Sequence, residues 1–510
     1  MKIQRAILSV ANKEGIVEFA KELEKLGIEI ISTGGTATLL EQNKVRVTRV
    51  SDFTGFPEIL SGRVKTLHPK IHAALLAVRE NKEHMGELKK LNIPLIDMAV
   101  CNLYPFEEMI RKDKVKFKEA LDNIDIGGPS MLRAAAKNYE NVVAVCNPKK
   151  YGPIIRALKE QKGSIPLALR RELANEVFQH TSHYDTIISA FLQGEGFPQH
   201  INLEYEKIQD LRYGENPHQQ GAFYKELELK ETCIAGAKQL HGIELSYNNV
   251  LDLNDGFELV KDFEKPTVAI IKHTNPCGVA SAKTIEEAFA LAYAVDPMAA
   301  YGCIVAMNHP CNRATAELMK PKFIEAVIAP GYDAEALELL KTKEKLRILE
   351  TGRITKDEST MDLKKVVGGL LVQTRQFPKL DLNKIQVVTK RKPTEQEMKD
   401  LLFAWKVNKH VKSNAIVFVK NQVAIGIGAG QMSRVDSSII AARKAGEKAK
   451  GAVMSSDAFF PFRDGVDEAA KAGITAIIQP GGSIRDQEVI DAANEHTMAM
   501  VFTGVRLFKH

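Results

Sequence analysis

Two stretches of the 510-residue sequence gather side chains able to move protons beside a bound anion. In Val268-Ala-Ile-Ile-Lys-His-Thr-Asn-Pro-Cys-Gly278, apolar residues run straight into Lys272 and His273. An apolar run bounded by turn residues reads as a buried strand, with Asn275-Pro276 as the turn that ends it. Open α/β sheets mount ligand-binding groups at such strand ends. A cation and a base titrating near neutral pH would then reach one ligand together. Taken alone, the pair also fits a solvated strand end followed by a hydrogen-bonded turn histidine.

The second stretch lies near the amino terminus. Ser32-Thr33-Gly34-Gly35-Thr36 separates a strand-like from a helix-like segment. Glycines there let backbone N–H groups approach a phosphate at a helix start, although a tight βα turn needs them too. Asn12-Lys13 places a second cation at another helix start. Gly62 to Lys70 contains Arg63, Val64, Lys65, Thr66, His68 and Lys70, more potential cations than a turn needs, so an anion site is expected. Asn102-Leu-Tyr104, Asp125-Ile126-Gly-Gly and Arg133 to Lys137 add a phenol, a carboxylate and helix cations. Together they predict a phosphate-anchored site with a Lys/Tyr/Asp set for proton transfer.

Further along, Leu211 to Gln219 and Ser246 to Asp255 are polar stretches without an evident packing role. Gly426-Ile-Gly-Ala-Gly-Gln-Met-Ser-Arg434 approaches a dinucleotide fingerprint, but Gln431 occupies its last glycine position, which argues against a nicotinamide cofactor. Ser455 to Asp464 sets three phenylalanines beside Asp457, Arg463 and Asp464, suiting a flat heteroaromatic ligand. Pro276-Cys277 begins like a zinc-deaminase motif, but Ala280 stands where the second cysteine belongs, so no metal is expected.

The elements that must position these groups follow from periodicity. Arg5–Val10 and Ile28–Ile31 read as strands, Lys13–Leu26 as a helix closed by Gly27, and residues 96–102 and 141–147 as further strands. This is the βαβ rhythm of a parallel sheet. Residues 150–200 read as helical. Later strands are expected at 267–271, 302–307, 326–328, 415–419, 423–427, 452–455 and 474–478. A helix is expected from Pro393 to about Lys409, and Arg506 and Phe508 read as part of a strand-like tail.

Net charge is +6, from 70 basic and 64 acidic residues, with no basic block interleaved with aromatics, so nucleic-acid binding has no support. The six cysteines form no C-x-x-C pair and read as reduced thiols in a cytoplasmic protein. No apolar run is long enough to span a bilayer, and no signal-peptide core opens the chain.

From Ser32 to Thr36, through Gly62 to Pro69, to Arg506-Leu-Phe-Lys-His510, the sequence resembles the bifunctional purine-biosynthesis family joining AICAR formyltransferase to IMP cyclohydrolase. The resemblance implies a methylglyoxal-synthase-like cyclohydrolase domain at 1–148 and a helical connector at 149–200. It also implies a transformylase region at 201–510, made of two zinc-free cytidine-deaminase-like α/β subdomains that change over near 365–395. It implies catalytic roles for Lys272, His273 and Asn414 in formyl transfer, and for Lys65, Tyr104, Asp125 and Lys137 in ring closure.

By the same resemblance, nucleotide contacts fall to Asn12, Lys13, Thr33, Gly34, Gly35, Thr36, Arg63, Val64, Thr66, Cys101, Asn102 and Ile126. In the transformylase they fall to Arg212, Tyr213, Gly302, Glu325, Arg434, Phe459 and Arg506. The co-substrate, 10-formyltetrahydrofolate, would lie near Val435, Asp464, Ser483 and Ile484, and members are homodimers. Tyr301, Cys303, Glu325 and Ala11 depart from commoner family residues. Two rivals remain at this stage: a methylglyoxal-forming phosphate lyase fused to an inert domain, and a nucleotide-sensing module without turnover.

Overall fold

The computed structural model describes every residue except 1, 112–114, 195, 358 and 376–379. The chain divides into two compact units, Met1–Leu203 and Glu204–His510.

The first unit is built on five parallel strands, in the order Thr48–Arg49, Glu29–Ser32, Arg5–Val10, Met98–Asn102 and Val143–Val145. Helices cover both faces, so the strand residues Ile7, Leu8, Ala99 and Val143 are fully buried. The expected helix at Lys13 begins only at Ile16, because Gly15 takes a left-handed conformation (φ 66°) that breaks the approach. Gly27, at φ 74°, closes its other end as expected. The long helix Leu167–Gln193 packs on the helix Gly127–Lys137 and buries Val177 and Tyr184 in this unit's core.

The second unit holds a mixed sheet of twelve strands. One half runs Gln386–Val387, Ala499–Phe502, Ala476–Gln479, Val453–Ser456, Ile416–Lys420, Val423–Gly428. The other continues as Asn275–Ser281, Thr267–Lys272, Cys303–Met307, Ile324–Ala329, Arg347–Glu350, Lys238–His241. Each half repeats one plan: a helix, an antiparallel hairpin, then three parallel strands separated by helices. The halves join through antiparallel pairing of Val279 with Ala424 and Ala280 with Val423. An offset of 148 residues relates Ser246 to Thr394, which both cap helices through capping boxes, and Asp252 to Asp400. Residues 376–379, inside the expected subdomain change, lie outside the described residues.

The turn expected at Asn275-Pro276 falls two residues earlier. His273 and Thr274, at φ 52° and 60°, form the hairpin loop, and Asn275 already pairs with Lys272 in the return strand. A two-residue hairpin matches the strands' twist only with both central residues left-handed. The Asp252 carboxylate braces the strained loop by accepting the Thr274 N–H at 2.6 Å. The Lys-His pair therefore ends an antiparallel hairpin strand, flanked on both sides by antiparallel neighbours.

Candidate active sites

In the first unit the candidate residues meet at the carboxyl ends of Arg5–Val10, Glu29–Ser32 and Met98–Asn102, where a parallel sheet opens a ligand crevice. Asn102 fixes the first loop. Its Oδ1 accepts the Ala11 and Asn12 N–H groups at 2.6 and 2.8 Å, and its Nδ2 donates to the Asn12 carbonyl at 3.0 Å. The Lys13 ammonium turns back to the Val10 carbonyl and to the Thr36 hydroxyl, 2.7 Å away. Burial and the neighbouring Lys65 ammonium hold Lys13 below the usual lysine range. Thr33 is buried, 3.0 Å from the Ser9 hydroxyl. Gly34 and Gly35 open the helix Gly34–Gln42, and a Cβ on Gly34 would stand 3.7 Å from Lys65 Nζ.

Asp125 closes the other side. Burial raises its carboxyl above the usual range, against the opposing pull of the Gly128 N–H at 2.8 Å and of Lys65. Burial, then Asp125, push the Cys101 thiol well up, so it is an uncharged wall. A Cβ on Gly127 would meet Thr66 Oγ1 at 2.6 Å, and one on Gly128 would meet Asp125 at 2.5 Å. Those glycines let the two loops close together. Tyr104 is 49% exposed, beside the Asp125 carboxylate that its backbone N–H reaches. Ile126 precedes the helix and is exposed, and Val64 is half-buried.

Of the cations in the 62–70 loop, only Lys65 joins this cluster. Arg63 pairs with Asp122, and His68 caps the helix Pro69–Leu76 by accepting the Lys70 N–H at 3.2 Å. Lys137 ends the helix that Gly127 begins, about 15 Å further along its axis at about 1.5 Å per residue. It is not brought together with Asp125.

In the second unit the candidate site lies at one end of the central strands of the twelve-stranded sheet. Lys272 donates to the Tyr301 and Gly302 carbonyls at 2.8 and 3.0 Å, beside the His273 loop. Gly302 lies at φ 68°, and a Cβ there would stand 3.3 Å from Lys272 Nζ. Glu325 accepts the Asn249 amide at 3.0 Å and sits against Arg347, whose guanidinium also neighbours Arg212. The Arg212 guanidinium stands 5.5 Å over the Tyr213 ring.

The other half of the sheet supplies the facing groups. The Lys412 N–H donates to Asn275 Oδ1 at 3.1 Å, which sets Asn414 next to the hairpin. Asn414 Oδ1 accepts from Arg434 at 2.8 Å, while its Nδ2 donates to the Gln431 and Met432 carbonyls at 2.8 and 3.2 Å. Arg434 is buried, paired with Asp457 and bonded to the Ser456 hydroxyl at 2.9 Å.

The aromatic loop divides: Phe459 is partly exposed at this end, Phe460 is core, and Phe462 lies under Arg485. Arg506 covers the Phe508 ring at 4.4 Å. The tail carrying them is no strand, contrary to expectation. It is tied instead by the Leu507 N–H to the Asp457 carbonyl at 2.8 Å and the Ser413 N–H to the Lys509 carbonyl at 2.9 Å. Val435 and Asp464 lie at helix starts, and Ser483 and the fully exposed Ile484 in a loop, all beyond strand termini at this end.

Comparison with known proteins settles what kind of chain this is. The MGS-like domain model matches residues 15–130, and that of the AICARFT/IMPCHase bienzyme matches residues 135–444. The bifunctional purine biosynthesis protein PurH of Acetivibrio thermocellus is 53% identical over 514 residues, covering 100% of both chains. PurH of Caldicellulosiruptor saccharolyticus is 52% identical across 99% of this chain and 100% of its own, and that of Bacillus subtilis 50% across 100% of each. This chain belongs to the AICARFT/IMPCHase bienzyme family.

Two groups at the candidate sites escaped sequence reasoning as site residues: Asp252 and Arg347. Asp252 had a readable signal. The capping box Ser246-x-x-Asn249 fixes the phase of the helix Tyr247–Val260, and Thr394-x-x-Glu397 repeats that spacing before Asp400. Arg347 carries no local pattern.

Proposed function

We propose how the residues of this bienzyme divide its two reactions. The chain carries AICAR formyltransferase and IMP cyclohydrolase, the closing steps of IMP biosynthesis, and draws on a folate co-substrate. In our reading that folate is 10-formyltetrahydrofolate, and transfer occurs at the His273 hairpin. His273 takes a proton from the 5-amino group of AICAR as that nitrogen attacks the formyl carbon.

The observation that carries this reading is the bonding of Lys272. An ammonium has three donors, and two go to the carbonyls of Tyr301 and Gly302. The third remains for the developing oxyanion or the departing folate nitrogen, beside the base. Asn414, locked by Arg434, orients the reacting groups. Arg212, Tyr213, Gly302, Glu325, Phe459 and Arg506 hold AICAR, while Val435, Asp464, Ser483 and Ile484 hold the folate.

Ring closure then proceeds in the first unit, where the amide nitrogen attacks the formyl carbon and water leaves. Asp125, with its raised affinity for a proton, exchanges protons with the formyl oxygen, while Lys65 and Tyr104 polarise it. Lys13 and the Thr33–Thr36 turn take the phosphate, and Arg63 adds to them only by leaving its pair with Asp122. Lys137, remote from Asp125, falls outside this proton-transfer set. No step of this scheme calls for a metal. We assign the protein to the cytoplasm and to a homodimer, as the family resemblance of the sequence implies.

The deciding assay supplies AICAR and 10-formyltetrahydrofolate and follows IMP. His273→Ala should abolish formyl transfer yet still close supplied formyl-AICAR, and a Lys65→Ala/Tyr104→Phe double variant should do the reverse. A wild-type transfer rate in His273→Ala would refute the assignment.

A further inference from the structure

The duplicated plan of the second unit makes the catalytic hairpin's surroundings twice. Lys420 ends its strand as Lys272 does, 148 residues earlier, and the loop Asn421-Gln422 stands at φ 53° and 59°. Asp400 braces that loop by accepting both its N–H groups at 2.9 and 2.7 Å. The Lys420 ammonium donates to the Lys450 carbonyl at 2.6 Å, next to Gly451 at φ 75°, as Lys272 bonds the carbonyls at Gly302. The antiparallel junction places this second loop at the opposite end of the central strands from His273.

A cavity of about 900 Å³ opens there. At 148 residues from His273 and Asn414 its wall holds Asn421 and Pro266, so it has neither a base nor the orienting amide. Four lysines line it instead: Lys265, Lys283, Lys420 and Lys448. Glu287 is the lone carboxylate among its lining residues, and among the described residues none of the four ammonium groups has a carboxylate partner. Leu291, Val295 and Ile425 give the cavity an apolar wall. Lys265 donates to the Gln422 amide oxygen and Lys448 to the Ala294 carbonyl, each at 3.2 Å, so neutral oxygens hold these ammonium groups without cancelling their charge. Cations around a concave surface concentrate anions, and this volume falls in the range of small-ligand sites, about 300–1,000 Å³.

We infer that this cavity is a second, non-catalytic site that binds a phosphomonoester carrying a flat apolar body, a ligand of the nucleotide class. The cations take the phosphate, and the apolar wall takes the ring. With Asn421 in place of histidine, the hairpin there presents no imidazole to take a proton, and we read the ligand as bound and released unchanged.

The test uses pyridoxal 5′-phosphate, a phosphomonoester on a flat ring whose aldehyde forms reducible adducts with lysine amines. The full-length protein is labelled, reduced with borohydride and mapped by peptide mass spectrometry. Adduct should concentrate on Lys265, Lys283 or Lys448 and fall about tenfold when IMP, but not inosine, is present in excess. The exposed pair K283E/K448E should lower labelling of Lys265 by a similar factor, about tenfold, and leave IMP formation unchanged. Label spread evenly over surface lysines, or equal protection by inosine, overturns the inference. Since the readout is labelling rather than turnover, failure here is distinct from failure of the formyl-transfer assignment.

Discussion

The two hairpins of the second unit share a lysine, a carboxylate brace and a left-handed two-residue loop, yet only one carries a histidine. Near the His273 hairpin the facing half contributes Lys412, bonded to Asn275, then Asn414 and the Arg434 bonded to it. Around Asn421 the facing positions hold Pro266 and scattered lysines. The fold thus built one scaffold twice and set a histidine on a single copy. Scaffold and chemistry are separable: the brace and the close helix–strand contacts serve stability in both halves, while a few side chains decide what each end can do.

Substitutions at the shared scaffold should have the largest effects, equal in both halves. A Cβ on Gly278 would fall 2.1 Å from the Ala292 carbonyl oxygen, and one on Gly426 2.3 Å from that of Ala441. Gly278→Val and Gly426→Val should each cost more than about 4 kcal/mol and give little soluble protein. If one half tolerates the change while the other collapses, the scaffolds are not equivalent.

Next in size is the exchange of loop residues. His273→Asn, which copies the second hairpin, should lower formyl transfer by about 10²–10⁴-fold and leave cyclohydrolase activity intact. Asn421→His should leave both rates unchanged in steady-state assays. A smaller effect is expected from removing the braces. Asp252→Ala and Asp400→Ala each leave loop N–H groups unpaired and should lose about 1–3 kcal/mol in denaturant unfolding. Only Asp252→Ala should also slow transfer, because only that brace holds His273.

The smallest effect is a pH dependence. Burial raises the Asp252 carboxyl above its ordinary value, with His273 acting in the opposite direction. A raised pKa means that the folded state prefers the protonated form, so this group's contribution is full at acid pH and fades as pH rises through the folded value. Asparagine keeps the acceptor without the charge. The Tm of Asp252→Asn relative to wild type should therefore rise with pH across that interval and level off above it. A flat difference would remove burial as the cause.

Much of this could be read from one dimension. The apolar runs around Ile7, Val100, Ile270 and Ile477 marked buried strands, and Thr394-Glu-Gln-Glu397 marked a helix start, because period and capping are local properties. The residue types of both candidate sites were legible for the same reason: lysines, a histidine and carboxylates stand out at loops between apolar runs. The turn after Lys272 was misjudged because Asn-Pro is a strong turn signal. A left-handed His-Thr loop depends on Asp252, which sits on a separate helix.

What the sequence determined by itself is therefore the inventory: two α/β units, the groups able to do chemistry, and through close resemblance the bienzyme family. Only the tertiary structure decided which groups meet. It set Lys137 apart from Asp125, spent two donors of Lys272 on carbonyls, and locked Asn414 to Arg434. It also revealed that one end of the central strands has a counterpart at the other. The physical reason is range: propensity and periodicity act over a few residues, whereas sheet pairing and side-chain hydrogen bonds join positions more than a hundred residues apart, as Lys412 joins Asn275.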